Sequence, residues 1–334
     1  MKVLVNGIGN IGTTLACLLF DFKADLNISE VIVFKNKPQP WRQTDLNFLI
    51  QKGITVKTSA DTNFNDLITT VDYIFDTTAN GVGLKNKKRY QNLPQLIGAC
   101  AQGSEKGFGI PFMSGIKNDH IKNQKFVQIV SCNTHGAAHI LQTLCGSNLS
   151  NLKIADFVVV RRSEDLGNHE RLVTANVVAR HLSLLTGTHH AIDIKDLFKA
   201  IHIDCNITSS DITTPSQLMH STRFNIEFNT DILPTQIETL IQNNPFLATT
   251  TKFDSNLIFE LGRRYGYQGR LYNHAIVLTN NLIYTKNSIK GWAFIPQEGN
   301  TLISTIHAFL LQTQSKIASQ VIINIQNQLL IKKW

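Results

Sequence analysis

Along the first third of the chain, short apolar runs alternate with stretches of helical spacing. "KVLVNGIG" reads as a strand ending in a glycine turn, "IGTTLACLLFDF" as a helix and "EVIVFKN" as a second strand. "ITVKTSA" and "VDYIFDTT" are further strand candidates, and "FVQIVSC" closes the series. Strands separated by helices predict a parallel sheet covered on both faces. Beyond about residue 150 the pattern changes: "IADFVVVRR", "STRFNIEFNT" and "HAIVLTNNLIYTKNSIKGWAFI" carry the alternation and turn signals of antiparallel strands. That part reads as a second, α+β domain. The last stretch, "NTLISTIHAFLLQTQSKIASQVIINIQ", has apolar residues at three- and four-residue spacings and is predicted helical.

Composition narrows the class without naming a function. A chain of 334 residues, 43% hydrophobic and 17% charged, is long enough for two ordinary globular domains. No apolar run reaches membrane-spanning length, and "MKVLVNGIGNIG" lacks the long apolar stretch of a signal peptide, so a cytoplasmic protein with no membrane partner is expected. There are no internal repeats, and 8 prolines leave no proline-rich linker. Five cysteines, at 17, 100, 132, 145 and 205, form no CxxC pair, which suggests neither a disulfide framework nor a metal site. A net charge of +8 fits either nucleic acid or an anionic small molecule. The densest basic cluster, "LKNKKRYQN", has no aromatic interleaving and reads as a solvated surface segment, so no nucleic-acid partner is expected.

Gly7-Ile8-Gly9-Asn10-Ile11-Gly12 fits G-x-G-x-x-G directly after a strand and at the mouth of a helix. In that context the first glycine makes the tight turn, the second admits a pyrophosphate to the backbone, and the third lets helix and strand pack closely. The helix N-terminus then holds the negative charge. At the end of the second strand, where an acid would hold the ribose of NAD, the sequence is Phe34-Lys35-Asn36-Lys37-Pro38. Lys35 and Lys37 suit a 2′-phosphate, so the expected cofactor is NADP, or either nucleotide.

"QIVSCNTHGAAHIL" places Cys132 where a strand gives way to a helix. Most cysteines in such places are small buried apolar residues. Here the positive end of the helix favours thiolate, and a nucleotide-binding half precedes it. A thiolate so placed can take up an aldehyde, lose hydride to a nicotinamide and become a thioester, given a histidine for the oxygen.

The ordered set "NGIGNIG", "FKNKP", "FDTTANGVGLKNKKRY", "AQGSEKG", "VSCNT", "VVRR", "THHAID" and "PSQLMH" resembles the archaeal-type (type II) glyceraldehyde-3-phosphate dehydrogenases, from residue 1 to about 310. The resemblance implies a Rossmann domain over 1–131, a mainly antiparallel α+β catalytic domain over 132–300, and C-terminal helices over 301–334 that return to the first domain. It also implies a homotetramer that oxidises a phosphorylated aldehyde with NADP or NAD and releases it with inorganic phosphate. Cys132 would be the nucleophile, with Ser131 and Asn133 at the substrate, and His220 its acid-base partner. His189, His190 and Arg161 would meet the substrate. Arg162, Asn10, Ile11, Gln102, Gly103 and Asn300 would contact the cofactor.

The chain also departs from that family. His135 stands where the family has a second threonine and His139 where an arginine is expected; Ser221-Thr222 follow His220 in place of a second histidine, and "IPQEGN" only loosely matches a Val-Pro-Glu-Asn motif. The catalytic pair is kept while its surroundings change, which leaves open a different phosphorylated or acidic semialdehyde, or a non-catalytic nucleotide-binding protein. The tail beyond about 315 exceeds the resemblance. There Ile317, Val321, Ile325 and Leu329 predict one helix face, packed on its own subunit or a neighbour.

Overall fold

The computed structural model describes residues 1–103, 105–117, 119–163, 175–215 and 218–334. Ser104 of "AQGSEKG" and residues 216–217 of "PSQLMH" lie outside them. The chain divides into two compact units: 1–114, 118–130 and 302–325 form the first, and 115–117, 131–301 and 326–334 the second.

In the first unit β1 (Lys2–Asn6) runs into α1 (Asn10–Asp21), β2 (Glu30–Lys35), α2 (Gln43–Gln51), β3 (Thr55–Thr58), α3 (Phe64–Ile68), β4 (Tyr73–Asp76) and α4 (Val82–Tyr90). Three short strands complete its sheet: β5 (Gly98–Ala101), β6 (Ile110–Phe112) and β7 (Phe126–Ile129). The order is β3-β2-β1-β4-β5-β7-β6, parallel at every pairing. The strands are apolar on both faces, as in "KVLVN", where four of five residues are buried, because helices cover both sides. One face is closed by a cluster of Leu4, Ile32, Phe34, Ile74, Tyr90 and Phe108. Strand order reverses between β1 and β4, the place in such sheets where a crevice opens beyond the strand ends.

In the second unit α5 (Cys132–Cys145) leads to β8 (Leu152–Arg162), β9 (Val177–Val178), α6 (His189–Lys199), β10 (Ile207–Thr214) and β11 (His220–Phe228). Then come α7 (Pro234–Asn243), β12 (Leu247–Thr250), α8 (Ser255–Tyr265), β13 (Ala275–Leu278), β14 (Ile283–Thr285) and β15 (Ser288–Ile295). These strands form one mixed sheet, β12-β13-β15-β11-β8-β10-β9, with β14 beside β15. Most pairings are antiparallel; β8 with β10 and β12 with β13 are parallel. Strand β11 alternates buried and half-buried residues without a break. Its inward set packs under α5, which also lies against β8, β13 and β15.

The C-terminal stretch forms α9 (Leu302–Thr313), which packs on β5 and β7 of the first unit, and α10 (Ala318–Leu329). The inward face of α10 is Ala318, Ile322, Ile325 and Leu329, whereas Ile317 is exposed and Val321 half-buried. A strict four-residue repeat drifts about 40° per step on a helix of 3.6 residues per turn, so the predicted face holds only at its C-terminal end. The chain then ends in the second unit, where Lys333 bridges Thr249 and the Trp334 N–H donates to the Thr249 carbonyl.

Candidate active site

The first unit builds a glycine-lined turn between β1 and α1. Gly7 sits at φ +109°, and a Cβ there would lie 2.9 Å from the Thr77 carbonyl oxygen. A Cβ on Gly12 would lie 2.1 Å from the Gly7 oxygen, so only glycine lets α1 approach β1. Gly9, by contrast, has nothing within 4 Å of the same position. It caps α1 with no side-chain hydrogen bond and no acid in the first turn, where Asn10 and Ile11 stand half-buried. A helix start carries N–H groups without an intrahelical acceptor, and the backbone at Gly9 is open on the side where a side chain would stand.

Polar groups at the strand ends are tied together. Asp76, buried at the end of β4, accepts hydrogen bonds from Tyr90 (2.7 Å), Asn86 (2.9 Å) and Asn6 (3.3 Å). Glu105 accepts the Gly81 and Leu84 N–H groups at 2.9 and 2.8 Å and so caps α4. Nothing in the composition singles out Asp76 or Glu105; each owes its role to partners 10 to 70 residues away. Gln102 is buried, donates to Thr305 and leaves its Oε1 without a partner among the described residues, and Gly103 turns at φ +72°. A cavity of about 360 Å³ opens beyond the ends of β1 and β2, lined by Asn36, Ser59, Phe64 and Arg89 among others. Neither predicted lysine lines it. Lys35 is half-buried, and burial, then the Arg42 charge, lowers its pKa. Lys37 is exposed at φ +42°, with its N–H donating to Ser59 Oγ.

In the second unit Cys132 is the first residue of α5 and stays partly accessible. Ser131 is the N-cap, its hydroxyl accepting the Thr134 N–H at 3.2 Å, which is what a serine before "CNT" does at a helix start. Asn133 is buried, and its Oδ1 has no partner among the described residues. Asn300 Nδ2 donates to the carbonyl of Cys132 (3.1 Å) and to that of His274 (3.2 Å), while its Oδ1 has no partner among the described residues. Burial pushes the other four thiols up to about 11 for Cys17 and Cys205 and about 12 for Cys100 and Cys145.

His220 opens β11 and is buried; the Arg162 N–H donates to its Nδ1 at 3.2 Å. Its neutral ring therefore carries its proton on Nε2. Burial first, then the charges of Arg162, His190 and Arg161, hold its pKa well below the ordinary value, so it is uncharged at neutral pH. A second group forms around Asp211 on β10. His190 Nε2 lies 3.2 Å and Arg161 Nε 3.5 Å from its carboxylate, and the His189 and His190 rings lie 3.9 Å apart. Burial works to raise the Asp211 carboxyl, but His190 and Arg161 outweigh it and hold it low. His189 is lowered to about 4, by burial and then by His190. Ligand atoms of His189, His190 and Asp211 all lie within 4.8 Å of one another, a spacing that could hold a metal, but Arg161 already brings a cation to the same carboxylate. Arg162 is committed elsewhere, to Glu298 (2.6 Å) and the Leu218 carbonyl.

The two departures on α5 share one buried cluster. His135 Nδ1 donates to the Ser131 carbonyl at 2.9 Å. His139 Nδ1 lies 2.6 Å from His274 Nδ1, so one ring must donate to the other. His274 also meets His135 edge-on at 4.7 Å and stacks on Phe246. Burial, then neighbouring histidines, lowers the pKa of His139 to about 3 and that of His274 well below its ordinary value.

A parallel sheet with a glycine-rich turn after its first strand, joined in one chain to a mixed-sheet unit with a cysteine at a helix start, is consistent with a two-domain dehydrogenase. The relatives agree. The chain is 29% identical to the glyceraldehyde-3-phosphate dehydrogenase of Sulfurisphaera tokodaii over 235 residues, 66% of this chain and 64% of that protein. It is 24% identical to that of Metallosphaera sedula, over 92% of this chain and 93% of the relative, and 24% identical to that of Methanoregula boonei, over 94% and 92%. No protein-family model matches. The chain is thus similar to the archaeal-type glyceraldehyde-3-phosphate dehydrogenases over most of its length, as its motifs implied, and the similarity supports an oxidoreductase.

Proposed function

We propose that the protein is a phosphorylating, NAD(P)-dependent aldehyde dehydrogenase acting on glyceraldehyde 3-phosphate through a thioester on Cys132. The observation that carries this is the accessible Cys132 at the start of α5, in the same unit as neutral His220 and the His189, His190 and Arg161 group. Gly7, Gly9 and Gly12 with the first turn of α1 would hold the pyrophosphate, and the open space at Gly9 fits a group close to the backbone. The unpartnered Asn300 Oδ1 suits an amide donor. When bound, the nicotinamide accepts hydride from the substrate carbon.

The chain supplies the remaining steps. Thiolate Sγ adds to the aldehyde carbon, and the C=O pair moves onto oxygen. His220, with its proton on Nε2, donates a hydrogen bond to that oxyanion, a narrower role than proton shuttling. As hydride leaves, the oxyanion re-forms C=O and the thioester results. A phosphate oxygen then attacks the carbonyl carbon, and Cys132 leaves as thiolate with an acyl phosphate as product. Arg161 and His189 would receive the substrate's anionic end.

One observation favours a second reading. Asp211 offsets much of the Arg161 charge, which suits an aldehyde with a weaker negative charge than a phosphate ester. Val177, Val178, Leu182, Leu184 and Leu185 are 54–104% exposed on one segment, which supports a homo-oligomer covering them. The test is a steady-state assay with glyceraldehyde 3-phosphate and other acidic aldehydes, NAD and NADP, with and without phosphate. Turnover that needs phosphate and yields an acyl phosphate trapped by hydroxylamine supports the proposal; no turnover with any aldehyde would sink it.

A further inference from the structure

The cavity beyond β1 and β2 has a distinctive charge. Its walls include Asn36 beyond the end of β2, Ser59 and Phe64 after β3, and Arg89 on the α4 side. Among the described residues that line it, Arg89 is the one with an ionisable side chain, and none carries a carboxylate. At about 360 Å³ it has the size of a small-molecule site. The nearby Asp61 carboxylate is spent on its own turn, accepting the Thr58 N–H at 2.9 Å. Arg89 Cζ stands 5.7 Å over the Phe64 ring, which steadies the guanidinium beside the cavity.

We propose that Arg89 is the residue that distinguishes NADP from NAD, binding the 2′-phosphate of the adenosine ribose, with Ser59 and Asn36 supplying further hydrogen bonds. This rests on the dinucleotide reading of the Gly7–Gly12 cradle. The cavity lies at the end of β2, where an NAD site places an acid for the ribose hydroxyls, and none lines it here. A guanidinium offers a planar fork that matches phosphate oxygens. Lys35 and Lys37, the residues that sequence position favours, do not line the space, and Lys37 serves the turn through its backbone N–H on Ser59. Arg89 sits in the basic run of α4, which otherwise reads as a solvated face.

The test is titration of NADP and NAD, and of 2′-AMP and 5′-AMP, against wild type, Arg89→Met, Lys88→Met and Lys35→Met/Lys37→Met. Methionine keeps an unbranched stem on Phe64, so Arg89→Met should fold. Arg89→Met should weaken NADP and 2′-AMP tenfold or more while NAD and 5′-AMP change less than twofold. Lys88→Met should keep the wild-type NADP-to-NAD ratio. Rising salt should weaken NADP in wild type more than in Arg89→Met. Equal losses for both nucleotides in Arg89→Met, or a selective NADP loss only in the lysine variant, would overturn the assignment and leave dinucleotide binding standing. A wild type that binds neither nucleotide would overturn the dinucleotide reading as well.

Discussion

Acidification should unfold this protein early, and His139 shows by how much. Its ring is fully enclosed among His135, His274 and Phe246, and burial, followed by the His135 charge, lowers its pKa from 6.5 to about 3. An unfolded chain takes up a proton there as pH drops below 6.5; the folded chain does not until about 3. Stability is therefore complete above pH 6.5 and falls as pH drops, by about 1.4 kcal/mol per unit well below that point. Between pH 7 and pH 5 this one group should cost about 2 kcal/mol. The comparison is urea unfolding of wild type and His139→Gln at both pH values. The variant starts less stable, because His274 loses an imidazole partner, but it should lose about 2 kcal/mol less on acidification. Parallel losses would show that His139 titrates normally and that its enclosure is breached by water.

Gly9→Ala should fold with near-wild-type stability yet bind nucleotide weakly, whereas Gly12→Ala should be destabilised outright, since its Cβ meets the Gly7 oxygen at 2.1 Å; melting curves and NAD titration separate the two. Cys132→Ser should abolish turnover and keep nucleotide binding, and iodoacetamide at neutral pH should label Cys132 before the four thiols that burial raises; wild-type turnover in the serine variant would end the thioester proposal. His220→Ala should lower kcat about 10²–10³-fold with little change in nucleotide affinity, the usual loss on removing one oxyanion donor. Leu184→Ser/Leu185→Ser should reduce the mass of any oligomer in light scattering without lowering the melting temperature of the monomer; an unchanged mass would place association elsewhere.

The parts of the fold legible in the sequence were those with a strong local period. "KVLVN", "EVIVFK" and the alternating "HSTRFNIEF" became β1, β2 and β11 because burial on two faces or on one writes directly into composition. "GACA" and "IPF" are too short and small to stand out, yet they form β5 and β6 because β7 and β4 lie alongside. The basic run "LKNKKRY" reads as surface, and most of it is, but Tyr90 and Asn86 on its other face anchor Asp76. Within the candidate site, Cys132 and the glycines announce themselves by spacing. Asp211, Glu298 and His274 do not, because what gives each its role is a partner 21 to 136 residues away, supplied only by the sheet.

Both units are interrupted in the chain, and this bears on how the protein is made. Residues 1–130 emerge first, but α9, which covers β5 and β7, begins at Leu302. At translation rates of about 5–20 residues per second, the intervening stretch leaves that face of the nascent sheet uncovered for roughly 10–35 s. The second unit waits longer still, since Lys333 and Trp334 complete its edge at Thr249. Ribosome stalling upstream of residue 302 would leave a chain with an open apolar sheet face, a natural substrate for chaperones and proteases.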